Sequence, residues 1–150
     1  MDERTVDAGG TRYRGESILI AAGVFSYIPN VPGLEECGYL TNENAYELEE
    51  VPERPVGIGG GYIALESAQL FARLGSQVTL IQRSAHVLSD QPADLAEALM
   101  RDLEAEGSDV LTDARLEEVV PAEREKRVKL SVNGEPTTLS ATHLLVATGR

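Results

Sequence analysis

The stretch VGIGGGYIALE (residues 56–66) places four glycines in five positions, Gly57, Gly59, Gly60 and Gly61, between an apolar run and an amphipathic one. Glycine carries no Cβ, so its backbone turns tightly and comes close to another molecule; the dinucleotide fingerprint G-x-G-x-x-G/A puts it at defined points. Two registers compete. The one that starts at Gly57 demands a small residue at position 62, where Tyr62 stands, and fails. The one that starts at Gly59 takes Gly61 and then Ala64, a small residue where a helix must pass close to a strand. In this register Gly59 makes the turn and Gly61 lets the backbone approach a pyrophosphate. The free amides at the helix start, in the stretch through Tyr62, Ile63 and Ala64, bind its oxygens. Gly60 is the unconstrained position, and Gly57 is a strand residue without side-chain packing.

A lone glycine motif is weak, so the flanks carry the argument. Residues 56–58 form a short apolar run ahead of it. After it, Ile63, Ala64, Ala68, Phe71 and Leu74 recur at steps mostly of three and four, which predicts an amphipathic helix that Gly75 terminates. Residues 78–81 are apolar apart from Thr79 and suit a buried parallel strand. Strand, helix and strand make a βαβ unit. Its second strand ends at Gln82, about 20 residues past the glycines, where the fingerprint places the residue that reads the adenosine ribose. A glycine-rich turn without a ligand is the plain alternative.

At 150 residues the chain suffices for one domain with a substantial core. A formal charge of −12 argues against nucleic acid or an anionic membrane as a partner, since polyanions are repelled. A phosphate ligand must then be held by local amides and a few basic side chains. No apolar run approaches the roughly 20 residues that span a bilayer. The opening residues MDERTV lack the basic-then-apolar order of a secretory signal. A single cysteine, Cys37, excludes an internal disulfide and fits a reducing compartment, so a cytoplasmic location is expected. His86 and His143 have no metal-ligand spacing around them. The acidic groups at Glu35 and Glu36, at Glu47, Glu49 and Glu50, and at Asp102, Glu104 and Glu106 read as solvated faces.

Along the rest of the chain, TVDAGGTRYRGESILIAAG predicts a hairpin and then a buried strand at residues 18–22. Residues 24–41 carry Pro29, Pro32 and Gly33 without a period and predict an irregular crossing segment. A short helix before Pro52 follows. Asp90 is placed to cap a second helix with a stripe of Leu95, Leu99 and Leu103 ended by Gly107. A third strand near Val110 leads into alternating segments around a turn at Asn133 and Gly134, the pattern of antiparallel strands. HLLVATGR supplies a last apolar strand. The expected class is α/β: a Rossmann-like dinucleotide-binding domain with a parallel sheet and an antiparallel β-meander.

VPERPVGIGGGYIALESAQLFARLGSQVTLIQRS and the closing LLVATGR resemble the NAD(P)H-binding domain of the FAD-dependent pyridine nucleotide-disulfide oxidoreductases, and AQLFARLGSQVTLIQRS is most similar to the mercuric reductase branch of that family. ILIAAGVFSYIPNVPGL resembles the family's ILIATGxxPxxPxIPGL, with Ala22 where threonine is usual and Val24 and Phe25 departing further. The resemblance implies that residues 1–54 are a remnant of the FAD domain with a connecting segment, and that residues 55–150 are the NAD(P)H-binding domain. Family members carry an upstream flavin fingerprint, a CxxxxC redox pair and a dimerisation domain. The chain holds none of these, which implies an internal part of a larger homodimeric reductase and no turnover by the part alone.

The resemblance further implies that Tyr62 gates the nicotinamide, that Glu66 contacts its carboxamide, and that Leu116 and Gly149 approach the adenine and the nicotinamide side through backbone. Tyr62 and Glu66, four apart, share one helix face. At the ribose-reading position an acid would bind the 2′-hydroxyl and repel a 2′-phosphate; Gln82 removes that repulsion. Arg83 adds a planar, permanently charged fork, and Ser84 a further donor. NADPH is therefore expected ahead of NADH, although a solvated Arg83 beside either cofactor is the bland reading. The resemblance implies that in the parent enzyme hydride passes to FAD, then to a cysteine pair and on to Hg(II). A dihydrolipoamide dehydrogenase-like enzyme is one alternative, and a non-catalytic nucleotide-binding module is another.

Overall fold

The computed structural model describes residues 3–150; Met1 and Asp2, the first two residues of the MDERTV stretch, lie outside them. A hairpin of β1 (Thr5–Ala8) and β2 (Thr11–Arg14) comes first, as the sequence predicts. The strand expected at residues 18–22 does not form, and Leu19 and Ile20 are 89% and 85% exposed. The reason is pairing. A strand must hand its backbone N–H and C=O groups to a neighbour, and among the described residues this segment is paired with none of the sheets.

Residues 24–41 cross the molecule with one short helix, α1 (Leu34–Cys37). Leu40 then runs along the outer edge of the last strand, donating its N–H to the Leu144 carbonyl at 2.7 Å and accepting from Val146 at 2.8 Å. The helix expected before Pro52 shrinks to one 3-10 turn at Ala45–Glu47. Side chains capture its backbone first: the Thr41 N–H donates to Asn44 Oδ1 at 2.8 Å and the Glu43 N–H to Thr41 Oγ1 at 3.2 Å. Such local bonds compete with a helical ladder.

The βαβ unit is built as its periodicities require: β3 (Pro55–Ile58), α2 (Tyr62–Arg73), then β4 (Thr79–Ile81) parallel to β3. α3 (Ala93–Ala105) leads to β5 (Asp109–Leu111). β6 (Ala114–Ala122), β7 (Glu125–Val132) and β8 (Glu135–Ala141) form the antiparallel meander, turned between the last two at Asn133 and Gly134. β9 (His143–Val146) returns parallel to β3, on its free side. The parallel sheet therefore runs β5-β4-β3-β9. This is the expected α/β class.

Alternation along the strands sorts two cores. Val56, Ile58, Ile81, Leu144 and Val146 face the meander and pack with Val119, Val128 and Leu130; Leu80 and Leu145 face α2 and α3 and pack with Leu65, Ala68, Phe71 and Leu103. Burial of each such leucine or phenylalanine contributes about 1.5–3 kcal/mol. Gly57 is not left unpacked: a Cβ there would lie 2.5 Å from Leu80 Cδ2, so Leu80 occupies that space. Two details of the helices also differ from expectation. Asp90 does not cap α3, which starts after Pro92, and Leu95 is 53% exposed while Ala96 is buried. Starting the helix at Ala93 turns Ala96, Leu99 and Leu103 inward along one face, at steps of three and four. No helix among the described residues is long and apolar enough to cross a membrane.

Candidate functional site

In an open parallel sheet the crevice lies beyond the carboxyl ends of the strands, where successive connections leave in opposite directions. Here that point falls between β3 and β9, because the chain leaves β3 towards β4 and returns to β9 on the other side. A cleft of about 870 Å³ opens there, a size suited to a cofactor.

The glycines after β3 each answer a different constraint. Gly59 has φ +124°, its N–H donates to the Ile81 carbonyl at 2.9 Å, and a Cβ would lie 2.3 Å from the Ala147 carbonyl oxygen at the end of β9. Only glycine fits between the two strand ends. Gly60 is not the unconstrained position: a Cβ there would lie 2.8 Å from Gln82 Cδ. Gly61 is the N-cap of α2 and meets nothing within 4 Å, so its surface faces the open cleft. The first amides of a helix have no acceptor within it, and α2 has neither a capping side chain nor an acidic residue in its first turn.

The remaining sequence-predicted residues fall in three places. Tyr62, Ile63, Gln82, Arg83, Ser84, Leu116 and Gly149 line the cleft with the glycines. Ala64 is fully buried against the sheet and lets α2 approach it. Glu66 is exposed on α2 and is not part of the lining.

Gln82 itself is only 8% exposed, and its Nε2 donates to the His86 carbonyl at 3.3 Å. Beyond β4, residues 82–84 are held against the start of the meander. The Ala114 N–H donates to the Gln82 carbonyl at 2.9 Å and the Asp113 N–H to the Ser84 carbonyl at 3.0 Å.

On the opposite wall, the Tyr27 N–H donates to the Gly149 carbonyl at 2.9 Å, and Thr148 Oγ1 donates to the Tyr27 carbonyl at 2.7 Å. This clip, with Ser26 Oγ bonded to Asn42 Oδ1 at 3.2 Å, brings the crossing segment to the cleft. The sequence reasoning missed Tyr27, Thr148 and Arg115 as lining residues. No period or motif marks Arg115; the alternation that buries Ala114 and exposes its neighbour is the one available signal.

The electrostatics of the cleft invert those of the chain. Overall there are 25 acidic and 13 basic side chains. Among the described residues the lining has Arg83, Arg115 and Arg150 against one side-chain carboxylate, Asp90. Elsewhere no metal-binding group of His, Cys, Asp and Glu occurs among the described residues, and Cys37 is a free, half-buried thiol.

The model of the pyridine nucleotide-disulphide oxidoreductase family matches residues 1–150. The chain is 41% identical over 150 residues to the mercuric reductase of Bacillus cereus, covering 100% of this chain and 24% of that protein. It is 36% identical over 149 residues to the dihydrolipoyl dehydrogenase of Chlorobaculum tepidum, covering 97% and 31%. Among solved structures, the Cu(II) complex of the HOCl-induced flavoprotein disulfide reductase RclA from Escherichia coli superposes with a TM-score of 0.79 at 29% identity, over 97% of this chain and 33% of that one. The chain thus spans about a quarter to a third of the length of these proteins.

Proposed function

The chain belongs to the pyridine nucleotide-disulphide oxidoreductase family, and on that premise we propose that residues 55–150 are the NADPH-binding domain of a flavin-dependent reductase, with residues 1–54 contributed by its FAD domain and the connection to it. One observation carries the reading: the amino terminus of α2, with no side-chain cap, opens beside Gly61 into a cleft whose lining is basic in an acidic chain. Free amides and the positive end of a helix dipole suit a pyrophosphate. Gly59, Gly60 and Gly61, with the amides of Tyr62, Ile63 and Ala64, take the pyrophosphate end. Arg83 and Ser84 take the 2′-phosphate, and Leu116 borders the adenine. Tyr62 and Gly149 stand at the nicotinamide end; Glu66 joins the carboxamide only if its side chain turns back along α2.

The bound dinucleotide supplies a hydride, which the flavin of the whole enzyme accepts. The chain's own residues bind and orient it. Similarity to mercuric reductase favours Hg(II) as the final acceptor. Similarity to dihydrolipoyl dehydrogenase supports a dithiol–disulfide couple instead, although Gln82 then stands where that reading wants an acid. The whole enzyme is proposed to be a cytoplasmic homodimer that meets neither nucleic acid nor membrane, and the 150-residue chain alone to bind without turnover.

The test is calorimetric titration of NADPH and NADH into the 150-residue chain and its Arg83→Ala variant at one fixed salt concentration, since exposed charge contacts are screened. NADPH binding is expected to weaken by about 1.5–3 kcal/mol in the variant, with NADH nearly unchanged. Absence of dinucleotide binding by the parent would sink the reading and leave a domain without this ligand. Equal losses for both cofactors would withdraw the NADPH preference. Steady NADPH oxidation by the pure chain on adding Hg(II) or a disulfide would contradict binding without turnover.

A further inference from the structure

We infer that Arg115, the second residue of β6, is a specificity-determining residue of the cleft that grips the nucleotide 2′-phosphate together with Arg83. This rests on the reading of the cleft as an NADPH site and extends it to a residue on another sheet. Arg83 and Arg115 come from segments 32 positions apart, yet backbone bonds hold those segments side by side. The Ala114 N–H meets the Gln82 carbonyl at 2.9 Å and the Asp113 N–H meets the Ser84 carbonyl at 3.0 Å, one bond on each side of Arg83. Both arginines are exposed and both line the cleft.

Their place is the second observation. Arg54 is tied to Glu53 and Glu125, Arg73 to Glu106, and Arg12 approaches Asp7. Among the described residues neither Arg83 nor Arg115 has a carboxylate partner; the same holds for Arg14, Arg101, Arg124 and Arg127, but those lie outside the cleft, whereas Arg83 and Arg115 line it on adjoining segments. The neighbour of Arg115 across the ladder in β7 is the uncharged Ser131. Both guanidinium groups are exposed at the cleft and so are open to an anion that enters it. A phosphate monoester carries about −1.5 to −2 at neutral pH on three acceptor oxygens, which one monovalent guanidinium leaves partly unmatched and two match. The diester pyrophosphate needs no such pair, because the amides at α2 already face it.

The probes are 2′,5′-ADP against 5′-ADP, and NADPH against NADH, titrated into the 150-residue chain and its Arg115→Gln, Arg115→Lys and Arg83→Gln variants. Thermal unfolding of each variant checks that it folds like the parent. In Arg115→Gln, affinity for 2′,5′-ADP and NADPH is expected to fall roughly ten- to hundredfold, as for loss of a charged hydrogen bond. Affinity for 5′-ADP and NADH should stay within about twofold. Arg115→Lys should recover part of the loss, since it restores the charge without the planar fork. A parent that binds none of the four probes overturns the reading of the cleft itself. A parent that discriminates through Arg83 alone, with Arg115→Gln unchanged on every probe, overturns only the role of Arg115. Equal losses on all four assign Arg115 to the shared part of the nucleotide or to the fold, and overturn it as well.

Discussion

The carboxamide arm of Gln82 lies directly over Gly60, so that a Cβ on Gly60 would fall 2.8 Å from Gln82 Cδ and 2.9 Å from Cγ. The arm is held there by its bond to the His86 carbonyl. It thus covers the start of the glycine loop rather than reaching freely for a ribose. Because Cγ is in the contact, Gly60→Ala cannot be absorbed by the tip of the side chain alone. Gly60 is outside the left-handed region, so alanine gains about 0.4–1 kcal/mol from the unfolded chain. Overpacking costs about 1–3 kcal/mol and should win. Urea unfolding should therefore show Gly60→Ala less stable than the parent, and Gly60→Ala with Gln82→Ala less destabilised than the sum of the two single changes. Strict additivity would mean that the two residues do not touch.

The same relationship changes what Gln82→Glu does. From sequence, a glutamate there offers the ribose an acceptor and should favour NADH. In the structure the side chain is nearly buried and donates to a carbonyl, and an ionised glutamate can only accept. Leaving that carboxylate against the His86 oxygen costs about 1–3 kcal/mol. Burial raises a carboxyl's folded pKa, so the penalty is largest at neutral pH and shrinks as the group protonates. The stability gap between variant and parent should narrow when urea titrations are moved from pH 7 to about pH 5, and NADH affinity should not rise. A gain in NADH affinity without loss of stability would mean that the side chain swings off Gly60 into the cleft.

The βαβ unit was legible because each part carries its own period. Ala64, Ala68 and Phe71 repeat as a helix face, Val56 and Ile58 alternate about Gly57, and Gly75 closes the turn between them. The meander was legible from alternation and from Asn133 and Gly134. What escaped depends on partners distant in sequence. Residues 18–22 have strand composition without a described neighbour to pair with, the helix before Pro52 loses to turns made by Thr41 and Asn44, and the crowding at Gly60 exists only once β4 delivers Gln82. Arg115 escaped for a related reason: an exposed arginine in an alternating strand looks solvated until the meander is docked beside residues 82–84.

Gly59 and Gly61 should separate folding from binding. At Gly59 an alanine Cβ would meet backbone, the Ala147 carbonyl oxygen at 2.3 Å, and φ is +124°. Strained backbone alone costs about 1–3 kcal/mol, and the clash adds to it. Gly59→Ala should unfold at markedly lower urea. At Gly61 the space is open and φ is −82°, so Gly61→Val loses only the cap preference, about 1 kcal/mol, while its branched side chain fills the place proposed for the pyrophosphate. It should stay folded by circular dichroism and lose dinucleotide binding. Unchanged affinity in Gly61→Val would mean that the register beginning at Gly59 is not the one that holds the ligand.

His143 opens β9 opposite Pro55, and its Nδ1 is buried without a hydrogen-bond partner among the described residues. Burial, and then the nearby positive charge of Lys126, hold its pKa below the ordinary value of 6.5. The unfolded chain therefore binds a proton at a pH where the folded one does not, and stability must rise with pH through that interval. The contribution is complete above about 6.5 and is lost as pH falls through the depressed folded value. Glu106, held down chiefly by its hydrogen bond from Arg73, and Glu125, held down by those from Ser140 and then Arg54, act below the carboxylate value of 4.5, so the windows are distinct. Urea midpoints measured from pH 8 downward should start to fall near pH 6.5 in the parent, and His143→Gln, which cannot titrate, should flatten that part of the curve while leaving the acid limb. An unaltered slope in His143→Gln would assign the loss of stability in that range to other groups.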